Sequence, residues 1–287
     1  MGSIGRIAEI WRYPVKSMGG ERLRSCEVGT FGLPGDRGWA VRDEVAGEIR
    51  GAKKLPGLML CRATYTQEPA VGRVPPADIT LPDGAHFASD SPEANARLSE
   101  FLGRSVTLWP LQPPENTDHY RHAPIDPENL EQELRSVFGR LEDEPLPDLS
   151  IFPPELFEFT SPLGTYFDAF PVHVLTTASL RYLASKNVRS AFDRRRFRPN
   201  FLIETNEDVA GLVEAGWGGR TLRIGSAALH VQMPTVRCVM TTQATADLPK
   251  DPGVLRTIVA DADQNLGAYA TVTRAGCISV GDDVVLE

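Results

Sequence analysis

The chain of 287 residues has four cysteines, Cys26, Cys61, Cys238 and Cys277, with no Cys-x-x-Cys pair and no zinc-knuckle spacing. A disulfide framework and a four-ligand structural zinc are excluded on those grounds, and a reducing compartment is implied. No apolar run approaches the ~18 residues of a membrane span. The opening Met1-Gly-Ser-Ile-Gly-Arg6 lacks the sixth-position hydroxyl of a myristoylation signal, so a cytoplasmic location is expected. Positive charge is scarce as well. Lys+Arg number 30 against 38 Asp+Glu, giving a net charge of -8, which excludes a general nucleic-acid or anionic-membrane binder. G-x-S-x-G, Walker and G-x-G-x-x-G motifs are all missing, and so is an internal repeat. Any anion site must therefore be a local basic pocket.

What is present has the balance of a folded globular protein, 41% hydrophobic and 24% charged, long enough for one large or two ordinary domains. Residues 7–110 read as short strands broken by Gly and Pro: Arg6–Tyr13, Trp39–Arg42, Leu58–Tyr65, and Ile79–Phe87 around the Pro82-Asp-Gly84 turn. One helix closes this region, with Ser91 as cap, Pro92 in the first position and Gly103 as stop. Residues 110–162 hold ten of the 23 prolines, which predicts little regular structure. Within them Leu130, Leu134, Val137 and Phe138 share a helical face ahead of Gly139, the pattern of a short amphipathic helix. Beyond lie a strand at Val172, a hydroxyl-capped helix at Thr177, and strands at Phe201–Glu204, Thr221–Ile224, Ala227–Gln232, Val236–Thr241, Ala270–Arg274 and Val284–Leu286. A helix is expected over Val254–Val259. The expected class is α+β: a β-rich, barrel-like domain over 1–110, a proline-rich insertion or linker over 111–165, and a second barrel-like sheet with peripheral helices over 166–287.

Three distant segments suit an anion. Pro14 fixes a bend from which Lys16 and Ser17 project, and Arg37 sits in the turn Gly35-Asp-Arg-Gly38. Arg194, Arg195, Arg196 and Arg198 crowd one stretch, where like charges repel unless an anion or carboxylates absorb them. Arg198 is expected inward, because Pro199-Asn200 pins a strand entry, while the other three are expected in solvent. Cys238 ends a β-like run beside Arg237, ahead of Thr241 and Thr242. A lone thiolate cannot saturate a zinc, so a metal there must arrive with ligands of its own. Each segment alone is also the pattern of an ordinary surface turn or buried small hydrophobe. His119 and His122 read as surface residues, and His86, His173 and His230 as isolated. Asp36 and Asp283 are candidate proton donors by polarity alone.

Taken together, Ile10-Trp-Arg-Tyr-Pro-Val-Lys-Ser17, Phe197-Arg-Pro-Asn200, Arg237-Cys-Val-Met-Thr-Thr242 and Val280-Gly-Asp-Asp-Val284 resemble the MOSC family in its two-domain, amidoxime-reducing form. The resemblance implies an N-terminal β-barrel domain, a MOSC domain and a molybdenum–pterin cofactor whose metal is held by Cys238. Lys16, Ser17, Arg37, Thr177, Arg198 and Asn200 would contact the cofactor, with Arg237 and Tyr269 flanking the metal. It implies an oxidoreductase acting on a small N-hydroxylated substrate, with a cofactor or sulfur carrier as the alternative. Pyridoxal phosphate binding is a further family-level attribute. With no cluster-binding cysteine set, electrons would come from a separate flavin or iron–sulfur protein. Departures are the length of the proline-rich segment and a shortened stretch over 243–252.

Overall fold

The computed structural model describes residues 2–70, 72–124 and 126–287. In its first strand, β1 (Ser3–Arg12), Ile7 and Ile10 are three apart and would face opposite sides of a regular strand. A register shift between Ile7 and Glu9 against the neighbouring strand turns both inward, and each is at most 1% exposed. Strands β2 (Glu21–Leu23), β3 (Ser25–Val28), β4 (Trp39–Asp43), β5 (Glu48–Ile49), β6 (Arg62–Tyr65), β7 (Ala77–Thr80), β8 (His86–Ala88) and β9 (Val106–Pro110) follow before the proline-rich segment. After it come β10 (Val172–Thr176), β11 (Phe201–Thr205), β12 (Thr221–Ile224), β13 (Ala227–Val236), β14 (Asn265–Arg274), β15 (Gly276–Ser279) and β16 (Asp283–Leu286). Helices are α1 (Ala94–Leu102), α2 (Thr117–Tyr120), α3 (Leu130–Phe138), α4 (Thr177–Lys186) and α5 (Pro252–Asp261).

Strands β11, β10, β14, β13, β12, β16 and β1 pair in that order, and β1 pairs back to β11, so the sheet closes into a seven-stranded barrel. Only β10 and β11 among these neighbours run parallel. Ile7, Ile10, Val174, Phe201, Leu229 and Ala270 belong to the apolar cluster they enclose. Three register shifts along β13 supply the curvature that closure needs. Of the two strands expected over 227–241 only one forms, ending at Val236, because Val239–Thr242 closes into a short 3-10 turn instead. On the outside, α4 and α5 pack Leu183, Val254 and Ile258 against Leu175 and Leu202. The β-rich first region builds the sheets β5-β4-β9 and β6-β7-β8 around a core of its own that includes Met18, Trp39, Leu58, Ile79 and Leu98. β1 is nevertheless a barrel stave, so the chain's first segment is woven into the sheet formed by its last.

Several local expectations shift. Pro56 starts a short 3-10 turn over Pro56–Leu60, so the strand expected from Leu58 begins only at Arg62. α1 starts at Ala94 with Glu93 as its cap rather than Ser91, and Gly103 ends it in the left-handed conformation. In the proline-rich segment α3 and its Gly139 stop stand where the pattern puts them. Single turns at Thr117–Tyr120, Pro127–Asn129, Leu149–Ile151 and Pro154–Phe157 surround it. His119 is buried rather than superficial and bonds the Tyr166 hydroxyl at 2.8 Å. Of the arginine run, Arg194 lies over the Trp11 ring and pairs with Glu9, and Arg195 pairs with Asp193 and Asp247. Arg196 is 0% exposed and donates to the carbonyls of Ala191, Gln243 and Pro249 at 3.2, 2.9 and 2.7 Å. It absorbs the backbone of two loops that a solvated arginine could not hold together.

Arg196→Met removes three charge-assisted bonds from a fully buried guanidinium and leaves the Ala191, Gln243 and Pro249 carbonyls without their shared donor, an expected loss of about 2–4 kcal/mol. Thermal melting should read this as a Tm about 5–10 °C lower, while Arg195→Met stays within about 2 °C. A second test concerns Glu48, which accepts from the Ala123 N–H at 2.8 Å and from Arg50, and so ties the proline-rich segment to β5. Burial opposes its ionisation, but hydrogen bonds from His122, Ala123 and Arg50 outweigh it and hold the pKa at about 2, against an ordinary 4.5. A depressed carboxylate contributes stability that is complete above the unfolded value and is lost as pH falls through the folded one. Wild-type Tm should therefore fall more steeply with acid between pH 4.5 and 2 than that of Glu48→Gln. Parallel slopes would contradict the assignment.

Candidate functional site

The C-terminal end of β1 and the N-terminal ends of β10 and β11 meet at one rim of the barrel, and a cavity of about 710 Å³ lies there, lined also by Val236, Arg237 and Cys238 from the end of β13. That is within the ~300–1,000 Å³ range of small-molecule sites. Lys16, Ser17, Arg37, Arg198, Asn200, Arg237, Cys238 and Tyr269 all line it, although the sequence scatters them over more than 250 positions. Thr177 does not join them. It is the first residue of α4, just past the capping Thr176, and its hydroxyl accepts from the Thr205 N–H at 3.2 Å.

The backbone is forced at this rim. Six described non-glycine residues have positive φ, and three of them line the cavity: Ser17 at 70°, Arg37 at 52° and Arg198 at 55°. A side chain in that region costs about 1–3 kcal/mol and persists only where the surroundings over-determine it. Those surroundings are visible. The Arg37 N–H donates to the Tyr13 carbonyl at 2.7 Å and the Arg198 N–H to the Arg194 carbonyl at 2.9 Å. The Ala52 N–H donates to Ser17 Oγ at 2.9 Å.

Asp36 is the hub behind the wall. It accepts from the Tyr13 N–H at 2.8 Å, from Asn200 Nδ2 at 3.0 Å and from Arg37 Nη1. The Asn200 amide is used up in the same way, accepting from the His173 N–H at 3.1 Å and donating to the Trp11 carbonyl at 3.2 Å. Tyr13 lies between the two guanidinium groups, with Arg198 and Arg37 at 4.1 and 5.1 Å from its ring centre. Asn200 thus positions its neighbours rather than offering a free group to a ligand. Asp36 lies outside the lining and Asp283 is on the surface paired with Arg6, so neither expected proton donor reaches the cavity.

Seven Lys and Arg side chains line the cavity against three carboxylates, in a chain whose net charge is -8. The cations divide into satisfied and unsatisfied. Lys16 Nζ donates to the carbonyls of Tyr166 and Phe167 at 2.8 and 3.2 Å and pairs with Asp168 at 3.1 Å, so its three protons are committed. Arg198 gives Nη1 to the Met18 carbonyl but leaves Nη2 buried without a partner. Arg237 gives Nη2 to the Phe197 carbonyl at 3.1 Å and leaves Nε in the same state. His173 Nε2 is likewise buried and unpartnered, and burial together with Arg237 and Arg37 holds that imidazole neutral. Buried donors without acceptors cost about 1–3 kcal/mol each, more when charged. The two guanidinium donors, Arg198 Nη2 and Arg237 Nε, make this cavity a receptor for acceptor atoms.

Cys238 leaves β13 and caps the turn Val239–Thr242, its carbonyl accepting from Thr241 Oγ1 at 3.0 Å. Arg140, from the proline-rich segment, donates to the Arg237 carbonyl at 3.0 Å and to Gln264 Oε1 at 2.9 Å, which fixes the peptide carrying the thiol. No group of three or more His, Cys, Asp or Glu able to hold a metal is present among the described residues. Cys238 would thus serve a metal only as one ligand among others brought with it.

Lys53, Asp168 and His173 also face the cavity, and none carried a signal in the sequence. Burial opposes the charge on Lys53, yet Asp168, Cys238 and Tyr269 outweigh it and raise its pKa. Burial likewise opposes ionisation of Asp168, whose side chain keeps 41% of its surface open to the cavity, but Lys16, Lys53 and Arg37 hold it well below the usual carboxylate range. Partial burial, with Asp168 nearby, pushes the half-buried Tyr269 up to about 12. Two protonated groups, Lys53 and Tyr269, therefore stand in the electrostatic neighbourhood of Cys238.

Comparison with known proteins agrees with this layout. The description of the MOSC N-terminal beta barrel domain matches residues 4–104 and that of the MOSC domain matches residues 164–285. The chain is 25% identical over 308 aligned positions to mitochondrial amidoxime reducing component 2 of Bos taurus, covering 98% of this chain and 83% of that one. It is 26% identical over 305 positions to the human protein of the same name, at 98% and 83% coverage. Among solved structures, the YuaD protein from Bacillus subtilis superposes with a TM-score of 0.44 at 10% identity, covering 98% of this chain and 94% of that one. The two domain matches, in the order and on the segments that build the rim, establish that the chain belongs to the two-domain MOSC family.

Proposed function

We propose that this protein binds a molybdenum–pterin cofactor in the rim cavity and reduces N-hydroxylated compounds with electrons from a separate flavin or iron–sulfur protein. The observation that carries the reading is a lone thiol, Cys238, sharing a cavity with the unpartnered buried donors of Arg198 and Arg237. Those donors fit the acceptor-rich, anionic tail of such a group, and a single thiol fits a metal that brings its remaining ligands. The relatives' names, amidoxime reducing components, point to the same substrate class and to action alongside other proteins.

In this reading residues 166–287 form the cofactor domain and contribute Cys238, Arg237, Arg198 and Tyr269, while residues 1–110 contribute Ser17, Arg37 and Lys53. Lys16 and Asn200 position the wall, and Thr177 has no part. When bound, the cofactor supplies a two-electron change at its metal, and reduction of an N-hydroxy group to the N–H compound and water consumes two electrons and two protons. The chain's own contribution is charge and protons. Arg198 and Arg237 hold the anionic group and exclude competing cations. Lys53, kept charged by Asp168, and the undissociated Tyr269 hold protons at the thiol. A lysine held protonated is a poor nucleophile toward a carbonyl, so the expected pyridoxal phosphate is not carried forward.

Metal analysis of protein from a cofactor-competent host should find molybdenum in wild type and almost none in Cys238→Ala. Reduction of benzamidoxime with a chemically reduced viologen should vanish with it. Lys53→Met should keep the metal and lower kcat by roughly 10²-fold, the scale of a lost proton donor. Full turnover in Cys238→Ala would defeat the reading. Protein that passes molybdenum to an apo-enzyme without reducing benzamidoxime would establish the carrier instead.

A further inference from the structure

The proline-rich segment does something that its composition does not announce. α3 carries four large apolar residues, yet none of its nine residues is buried in the core. Its apolar face instead lines the cavity through Leu134, Val137 and Phe138, joined by Phe152, Leu156 and Phe157 from the turns that follow. The face is held in place rather than left to collapse. Lys54 pairs with Glu133 on the helix, and Arg140, just past its end, is locked to the peptide before Cys238. Gly139, at φ 63°, lets the helix end close on Val239, where a Cβ would stand 3.1 Å from that side chain and 2.8 Å from Leu255.

One cavity thus has two chemistries: a floor of cations around a thiol, contributed by both domains, and a mainly apolar wall contributed by residues 130–157, in which Gln132, Glu133 and Ser136 are the polar members. The floor suits an anionic cofactor. The wall has no use for one, since an anion against phenylalanines gains nothing and loses hydration. We infer that the wall is the substrate-selecting surface, and that the substrates are N-hydroxylated compounds with an extended apolar body, aryl or alkyl, lying along α3 while the N–O group points to Cys238. The inference rests on the proposed function for the reacting group but on the wall alone for the body.

The test uses para-alkyl benzamidoximes from methyl to pentyl, with calorimetric Kd on the purified full-length protein and KM for their reduction on the same preparation. Wild type should bind about fourfold more tightly per added methylene. In Phe152→Ser and Leu134→Gln, neither of them a core position, the gain should fall below about twofold per methylene. Phe157→Ser, at the rim and 61% exposed, should give a partial effect and guards against a folding artefact in the other two. Affinity independent of chain length in wild type, or a steep dependence untouched by all three substitutions, overturns the wall, whether or not the compounds are reduced. Steep, substitution-sensitive binding by a molybdenum-containing protein that reduces none of them overturns the proposed reaction and leaves the wall standing.

Discussion

Unneutralised positive charge, buried at one end of a barrel, is the constraint on which this molecule is built. Arg198 and Arg237 are at most 6% exposed, yet each keeps a donor without an acceptor. Burial, with Arg37 nearby, depresses the Arg198 pKa to about 10, still far above neutrality, so the guanidinium remains charged and cannot relieve the cost by losing its proton. The protein spends its available carboxylates elsewhere. Asp36 is absorbed by Arg37, Asn200 and the backbone of Tyr13, and Asp168 by Lys16 and the field of Lys53. Such an arrangement is stable only because seven staves and their connections hold it, and it is useful only if something anionic completes it.

That demand explains the strained backbone. Ser17, Arg37 and Arg198 come from connections that approach the rim along three different paths, and each takes a left-handed φ there. Glycine would take the same angle without steric cost but would present no charge or hydroxyl. Cost at three positions is therefore coupled to chemistry at the same three. The close fit of Gly51, where a Cβ would stand 2.6 Å from Ser17 Oγ, shows the converse: the loop bearing Lys53 must have no side chain at the point where it passes Ser17.

Sequence made much of the barrel legible because its strands alternate or run apolar between turns such as Gly225-Ser226 and Gly281-Asp-Asp283, and because α3 and α5 carry clear apolar periodicity. Motif resemblance named eight residues that the fold gathers in one cavity, because segments such as Pro14–Ser17 and Pro199–Asn200 carry a local pattern that can be read without knowing what surrounds it. Thr177 failed because it follows the C-terminal end of β10, whereas the cavity gathers residues at and before that strand's N-terminal end, Asp168 and His173 among them. Lys53, Asp168 and His173 were invisible for a different reason. Nothing in Gly51-Ala-Lys-Lys54 or Phe167-Asp-Ala169 marks a functional turn, and their meaning comes from proximity across more than a hundred residues. The role of Asn200 was misjudged in kind, because only the fold reveals that its donors and acceptor are already spent.

The proline-rich segment shows how the two halves of the cavity could change independently. The floor's Lys16 follows β1, Arg37 precedes β4, Arg198 precedes β11 and Arg237 follows β13, so a substitution there disturbs connections tied to the barrel and to the Asp36 hub. Residues 130–157 are tied to the rest of the chain through Arg140, Lys54–Glu133, Glu144–Arg256 and the close approach at Gly139, and their apolar side chains take no part in the main cores. Replacing Phe152 or Leu156 alters what the cavity admits without touching what holds the thiol. A surface connection carried by a rigid scaffold is where recognition can vary most freely. The separation of a fixed charged floor from an adjustable apolar wall is thus a consequence of which segments had to close the barrel and which were free to cover it.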